Sequence, residues 1–154
     1  MLEFEAKTDP VLNSGVQLRA HRYAAETATR VFNNGKYIDR KFPAGRVHGY
    51  QVEISTEAAG NSGGIFDEAR RGWLDDLKNN PAAKSAFRDN EWNRFRVVAN
   101  GDSIKVWLNG VPAADIVDSL DHTGFIALQV HSYKGPKPAE VRWRKIRIQE
   151  LTPH

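Results

Sequence analysis

The strongest constraint on this chain is a series of short segments in which apolar and polar residues alternate. In the first of them, Leu2, Phe4 and Ala6 alternate with acidic residues. A period of two places one face of a strand in the core and the other in solvent, so we predict half-buried strands. The segments are Leu2–Ala6, Val16–His21, residues 46–55, Trp92–Ala99, Ser103–Leu108, Val111–Ile116, Phe125–His131 and Val141–Ile148.

Turn signals separate these segments. They include Asn13-Ser14-Gly15, a glycine-rich stretch over residues 56–64, Asn100-Gly101-Asp102 and Asn109-Gly110. Asparagine and glycine accept the left-handed backbone that tight hairpins require. Short strands with regular turns predict an all-β fold, here an antiparallel sandwich of two sheets.

Two regions lack the alternation. Residues 22–45 are predicted to be irregular, with a turn at Asn33-Asn34-Gly35. A second region is predicted to insert one or two short helices around residues 66–88. Its first part carries an apolar stripe at helical spacing, formed by Phe66, Ala69, Trp73 and Leu77. Its second part begins with Asn80-Pro81, a cap followed by proline at the first helical position, and runs to Phe87.

Length and composition exclude several classes of protein. The 154 residues suit one domain spanning residues 1–154. The absence of cysteine excludes a disulfide framework, thiolate catalysis and cysteine-ligated zinc. Apolar runs are too short for a membrane span, and the first residues lack the features of a signal peptide.

The net charge of +3 does not indicate a nucleic-acid partner, because the basic residues are scattered among acidic ones. The exception is a cluster near the C-terminus formed by Arg142, Arg144, Lys145 and Arg147. Lysine and arginine on an edge strand discourage pairing with another sheet. We therefore interpret the cluster as a solvated edge strand.

Three strands carry chemically capable side chains on the face where serine, threonine, lysine and glutamate are usual. The residues are Gln17, Arg19, His21, Gln51, Glu53, Gln129 and His131. If the strands are neighbours, amide, guanidinium, imidazole and carboxylate groups form one patch. Planar polar groups of this kind hydrogen-bond hydroxyls in pairs, so the patch favours a carbohydrate ligand.

Other chemistries receive less support from the same residues. His21, His131 and Glu53 have the side-chain types of a zinc site, but no short spacing links them. Standard glycosidases need two carboxyl groups, and Gln51 occupies the position where Glu53 would have its partner. His48 shares the phase of Tyr50 and is predicted to be a core or edge histidine.

Several stretches together resemble the 3-keto-disaccharide hydrolase domain family, in matching order over nearly the whole chain. They are Asn13–Arg19, Gly49–Ile54, Gly63–Asp67, Glu91–Arg96, Val106–Gly110, Gly124–His131 and Val141–Ile148. The resemblance implies a concanavalin A-like jelly-roll sandwich that acts on 3-keto-glycosides. It also implies polar site residues at Arg19, Gln51, Glu53, Gln129 and His131.

The resemblance carries two further expectations. Proteins of this kind are usually exported by sugar-degrading bacteria, which implies a periplasmic or extracellular location. The family pattern also has a segment before the Leu2 strand that this chain lacks. Either this sequence is trimmed, or another strand fills the gap, or a sheet edge is open, and an open edge favours a homodimer.

The resulting hypothesis is a hydrolase or lyase that removes the C2 proton of a 3-keto-glycoside and eliminates the C1 substituent. Glu53 or His131 is the base, and Arg19 or a divalent cation stabilises the enolate. The predicted substrate-binding residues are Gln17, His21, Gln51, Asp67, Trp73 and Gln129.

Two alternatives stay open. A non-catalytic carbohydrate-binding module of a larger exported protein would stack sugars on Trp73 or Trp107. A structural or adhesion domain would bind no sugar at all. Convergence of Arg19, Glu53 and His131 in one pocket would favour the enzyme.

Overall fold

A computed structural model describes residues 1–33 and 36–151, with Phe32 and Asn33 described by their backbone alone. The first sheet contains β1 (Leu2–Thr8), β8 (Asn93–Asn100), β9 (Ser103–Leu108), β10 (Val111–Val117) and β12 (Val141–Ile148). The second contains β2 (Ser14–Arg22), β5 (Val47–Ile54), β6 (Ile65–Glu68), β7 (Gly72–Asp75) and β11 (Phe125–Val130). A separate hairpin is formed by β3 (Thr27–Asn33) and β4 (Lys36–Phe42), and the helix α1 spans Pro81–Lys84.

The two five-stranded antiparallel sheets confirm the predicted sandwich. Their strand orders are β10-β9-β8-β1-β12 and β11-β2-β5-β6-β7. The core lies between them, where Phe4 stacks on Phe95 with ring centroids 4.8 Å apart. Tyr50, Val52 and Ile54 of β5 are fully buried against the same core. Burial of each such side chain stabilises the fold by about 1.5–3 kcal/mol.

The predicted helix over residues 66–77 is wrong, because that segment forms the hairpin β6–β7. Phe66 lies opposite Trp73 in the register of this hairpin, so residues seven apart come together across a turn. Ala69 and Gly72 have φ angles of 57° and 80° in that turn. A tight hairpin therefore reproduces the spacing of a helical stripe.

The second predicted helix is confirmed but ends at Lys84, earlier than expected. The side chain of Asn80 caps it by accepting a hydrogen bond from the backbone N–H of Ala83 at 3.1 Å. The amide of Asn80 also donates to the carbonyls of Pro112 and Ala113 at 2.9 and 3.1 Å. Asn80 therefore ties the helix to β10 and closes that side of the sandwich.

Residues 22–45 were predicted to be irregular, and this is also wrong. They contain the hairpin β3–β4, which is hydrogen-bonded to neither large sheet. The hairpin packs through Val31 and Phe42 against Ala69, with Tyr23 and Ile38 around them. Asn34 and Gly35, where the sequence predicts a turn, lie outside the described residues.

A β-bulge between β2 and β5 interrupts the alternation of side chains. Leu18 lies opposite Tyr50, but the next regular pair is His21 and His48, because Arg19 adopts a φ of 49°. Gly49 has a φ of 129°, and a Cβ there would lie 3.1 Å from the Cα of Ala20. The bulge turns Arg19 away from the face that carries Gln17.

The side of the sandwich formed by β11 and β12 leaves apolar side chains exposed. Leu128 of β11 lies opposite Val16, and Ile148 of β12 lies opposite Leu2. Val130 and Ile148 are 79% and 66% exposed although they continue the inward faces. The homodimer through an open edge stays a prediction. Among the described residues, no helix has the length and apolar character needed to cross a membrane.

An ion-pair network joins the two sheets at one end of the sandwich. Arg71 donates two hydrogen bonds to Asp118, at 2.7 and 3.2 Å. The hydroxyl of buried Tyr50 also donates to Asp118. Burial alone would raise the pKa of Asp118, but these hydrogen bonds outweigh it and lower the pKa to about 2.

We expect Asp118→Asn to lower the free energy of unfolding by about 1–3 kcal/mol at neutral pH, because it breaks the bidentate pair. A carboxyl with a lowered pKa stabilises the fold above its unfolded value, 3.8, and that contribution is lost as pH falls toward about 2. Urea titrations at pH 7, 4 and 2 measure the difference. The exposed Asp39 pairs with Arg30, so Asp39→Asn is the control and changes stability by less than about 1 kcal/mol. An equal loss in both variants would contradict the prediction.

Candidate functional site

A cavity of about 770 Å³ lies over the outer face of the second sheet, beneath the β3–β4 hairpin. Its floor is formed by β5, β6 and the edge strand β11. Its lining includes Asn13, Gln51, Glu53, Phe66, Trp73, Gln129 and His131, with Val31, Arg40 and Phe42 from the hairpin. Pockets of this volume accommodate small-molecule ligands such as a disaccharide.

The register of the sheet explains why these side chains meet. Gly15 of β2 lies opposite both Glu53 of β5 and Gln129 of β11, which forms one row across three strands. Gln17 and Gln51 form the neighbouring row. Directly opposed residues point to the same face. The row containing Glu53 and Gln129 therefore faces the cavity.

Glu53 is 5% exposed and is held by two amides. Gln51 donates to Oε2 of Glu53 at 2.9 Å, and Asn13 donates to Oε1. Gln17 in turn donates to Gln51 at 3.5 Å. The amide oxygen of Gln51 thus faces Gln17, and its N–H points at the carboxylate. This chain of amides fixes the orientation of Glu53.

Gly15 makes room for this arrangement. A Cβ at this position would lie 2.5 Å from both Cγ and Cδ of Gln51, closer than any real contact. The side chain of Gln51 therefore crosses β2 at the one point where that strand has no side chain. The position needs glycine for the close approach of a neighbouring side chain.

Burial raises the pKa of Glu53 to about 7. Desolvation is the largest cause, because a carboxylate in this position loses its contact with water. The hydrogen bonds from Gln51 and Asn13 oppose the rise, and the negative charge of Glu68 adds to it. A carboxyl with a pKa near neutrality suits a group that exchanges protons with a ligand.

The rest of the cavity lining next to Glu53 includes Trp73, Gln129 and His131. Trp73 meets Phe66 edge-to-face at 5.2 Å and presents a half-buried indole to the cavity. In the part of the chain that the structure describes, the buried Oε1 of Gln129 has no hydrogen-bond donor. His131 lies at the exposed rim, and its Nδ1 donates to the carbonyl of Ser132 at 2.9 Å. The cavity thus offers a flat apolar surface beside a free acceptor.

The other acids of the cavity are engaged. Glu68 forms an ion pair with Arg46. Asp67, fully buried, accepts from Arg70 at 2.8 Å and from Arg71 at 2.5 Å. The predicted role of Asp67 in orienting a sugar is not supported, because its oxygens hold two guanidinium groups at the back of the cavity. Glu53 is the cavity carboxyl without a cationic partner among the described residues.

Arg19 and His21, both predicted to lie beside Glu53, lie elsewhere. Arg19 donates to the carbonyls of Gly101 and Asp121 at 2.8 and 3.1 Å. His21 lies 3.5 Å from the carboxylate of Asp121 and stacks on His48 at 5.9 Å. The convergence of Arg19 with Glu53 and His131 is therefore wrong, and the cause is the bulge at Arg19.

Two alternatives raised by the sequence do not fit the structure. Trp107 lies on the first sheet beneath the guanidinium of Arg96, 5.2 Å from its ring centroid, and takes no part in the cavity. Within residues 1–33 and 36–151, no three histidine or acidic side chains are grouped to hold a metal ion. The set of His21, His131 and Glu53 is not brought together.

Asn13 and Arg40 are cavity residues that the sequence did not indicate. Asn13 was interpreted only as part of a turn, although an asparagine just before a polar-faced strand is also placed to bind a group on that face. Arg40 lies in the segment predicted to be irregular. Its signal is a cation that falls in phase with Ile38 and Phe42, on the apolar side of an alternating stretch.

We expect Glu53→Gln to stabilise the fold in alkaline solution. A carboxyl whose pKa is raised on folding contributes most stability below its unfolded value, 4.5, and loses it as pH rises through about 7. The variant therefore gains up to about 3 kcal/mol over the wild type at pH 8, and the gain disappears below about pH 4.5. Urea titrations at pH 4, 6 and 8 measure it, with the exposed Glu57→Gln as control. A gain independent of pH would refute the assignment.

Comparison with known families gives the site its context. Residues 1–149 match the family described as a 3-keto-alpha-glucoside-1,2-lyase-like domain. The match spans nearly all of the 154 residues, so the chain belongs to this family. A search of curated proteins found no match. Family membership confirms the resemblance seen in the sequence and indicates a carbohydrate-active protein.

Proposed function

We propose that this member of the 3-keto-alpha-glucoside-1,2-lyase-like family cleaves 3-keto-glycosides with Glu53 as the general base. The observation that carries the proposal is a buried carboxyl on the floor of a sugar-sized cavity that has no cationic partner among the described residues and whose pKa is raised by burial to about 7. Efficient proton transfer needs a pKa near the working pH. Ordinary surface glutamates have a pKa near 4.3 and are therefore weaker bases.

The chemistry uses the acidity that a ketone gives to its neighbours. The Glu53 carboxylate takes the proton from C2, and the electrons of the C2–H bond form an enolate with C3. The enolate then reforms the ketone, a double bond forms between C1 and C2, and the C1–O bond breaks. The departing oxygen takes a proton and leaves as an alcohol. Addition of water to C1 of the unsaturated sugar would complete a net hydrolysis.

The amides around Glu53 support this role. Hydrogen bonds from Gln51 and Asn13 hold the carboxylate in one orientation. Little conformational entropy is therefore lost when the carboxylate aligns with a C–H bond. A mechanism with two opposed carboxyl groups is not favoured, because Glu68 and Asp67 are paired with arginines.

The remaining roles in the proposed reaction are assigned to His131, Trp73 and Gln129. Because Nδ1 of His131 donates to a carbonyl, Nε2 is the nitrogen from which the imidazolium form would pass a proton to the leaving oxygen, leaving the neutral ring. Trp73 would lie against a sugar face, and the free Oε1 of Gln129 would accept from a hydroxyl. Export to the periplasm or beyond stays a prediction from the family resemblance.

We expect Glu53→Gln to reduce turnover of a 3-keto-glucoside about 10²–10⁴-fold, since a positioned base contributes that much. Release of the aglycone from a chromogenic 3-keto-glucoside measures the rate. Glu57→Gln makes the same chemical change at an exposed position and should keep full activity. Assays with and without a chelator test the contribution of a divalent cation. Unchanged turnover in Glu53→Gln would remove Glu53 from the mechanism.

Binding measurements separate the enzyme from the alternatives. Calorimetry with simple glycosides and with their 3-keto forms gives the affinity independently of turnover. Binding of both without any turnover would favour the carbohydrate-binding module, with Trp73 as its stacking surface. Binding of neither would favour a structural domain.

The pH profile provides a further test. If Glu53 acts as the ionised base, kcat/KM rises with pH through about 7. Asn13→Ala removes a hydrogen bond that lowers the pKa of Glu53, so this limb should move to higher pH. Pro10→Ala, in the same loop but outside the cavity, is the matched control. An unmoved limb in Asn13→Ala would contradict the assignment of the base.

A further inference from the structure

We propose that Arg40, which the β3–β4 hairpin holds over the cavity, is the cation that stabilises the enolate oxygen at C3. This inference rests on the proposed function, which requires a positive group near that oxygen. Arg19 cannot supply it, because its guanidinium is bound to two carbonyls outside the cavity. Arg40 lines the same cavity as Glu53 but belongs to the roof rather than the floor.

The register of the hairpin gives Arg40 its direction. Arg40 lies opposite Thr29, and the flanking pair Val31 and Ile38 shares its face. Phe42 also lies on this face, and both Val31 and Phe42 are buried against the body of the protein. Arg40 therefore sits on the inward, apolar side of the hairpin.

The outward side of the hairpin carries the expected surface pairs. Arg30 binds Asp39 at 3.1 Å, and Lys41 lies 3.5 Å from Glu26. All four side chains are mostly exposed. Arg40 is the exception in this hairpin, because it is a charged residue on the apolar, inward side. It remains exposed because the cavity lies beneath it.

Arg40 is also the cavity arginine with free charge. Arg46 is paired with Glu68. Arg70 lies 2.7 Å from Asp67 and 2.6 Å from Asp121. Within the described part of the chain, no carboxylate pairs with Arg40. Its guanidinium is therefore available to a ligand.

The placement suits the chemistry. With the base on the floor and the cation on the roof, a sugar ring between them would meet both groups at once. As the C2 proton passes to Glu53, negative charge moves to the oxygen on C3, where N–H groups of Arg40 would donate to it. A preorganised donor aimed at developing charge acts without rearrangement in the transition state. The same contact would also polarise the ketone before the proton leaves.

The test compares Arg40→Met and Arg40→Lys with Arg30→Met on the outward side of the same hairpin. Methionine keeps the apolar inner face packed. We expect Arg40→Met to lower kcat for a neutral 3-keto-glucoside about 10²–10³-fold, the loss usual for one oxyanion donor, with KM changed less than about threefold. Arg40→Lys keeps the charge without the planar fork and should recover part of the loss. Arg30→Met should keep wild-type kcat.

A second readout separates catalysis from binding. The affinity for the corresponding glycoside without the keto group should be the same in Arg40→Met and in the wild type. Equal weakening of keto and non-keto ligands would overturn the proposal and make Arg40 a binding residue. A kcat within about twofold of the wild type would overturn it too, as would activity confined to sugars that carry a carboxylate.

The Glu53→Gln variant in the same assay distinguishes failure of this inference from failure of the proposed function. If Glu53→Gln loses turnover and Arg40→Met does not, only the role of Arg40 is wrong. If neither variant loses turnover, the proposed elimination itself is wrong. Circular dichroism of each variant establishes that the hairpin and sandwich remain folded.

Discussion

The site depends on one unfavourable arrangement, the burial of the Glu53 carboxyl under a layer of amides. Desolvation penalises its ionised form, while the N–H groups of Gln51 and Asn13 partly compensate. Gln17 in turn donates to Gln51. The pKa of Glu53 is therefore set by side chains from two strands and from the loop that precedes β2. Removing water raises the basicity of the carboxylate, and the amides keep it in place. A surface glutamate would have neither property.

The strands could be predicted from the sequence, since period-two alternation survives wherever a sheet has one buried face. Alternation correctly placed Gln51, Glu53, Gln129 and His131 on one surface, whereas Trp73 reaches the same cavity from a hairpin that was predicted to be a helix. Arg19 and His21 were not placed correctly, because a single left-handed residue reverses the alternation and leaves no trace in the polar–apolar pattern. Gly49 lies inside a strand and opposite the bulge, and a glycine in that position often indicates a bulge.

The errors over residues 22–45 and 66–77 have a different physical origin. Phe66 and Trp73 are seven residues apart both along a helix face and across a tight hairpin, so spacing alone cannot separate the two. The β3–β4 hairpin buries only a few side chains on its inner face, and its charged outer face resembles a loop. Long-range packing decided both cases, and it is the information that local periodicity lacks.

The roof of the cavity is attached in an unusual way. It joins no large sheet, and its stem is closed by backbone hydrogen bonds from Tyr23 to Arg46 and from Gly45 to Tyr23. The hydrogen-bond ladder between β2 and β5 begins next to this stem and includes no residue of the hairpin. The residues between Tyr23 and Gly45 are therefore attached to the scaffold through this stem and through the packing of Val31 and Phe42 on Ala69, and an insertion within them interrupts none of the hydrogen-bond ladders that carry Glu53.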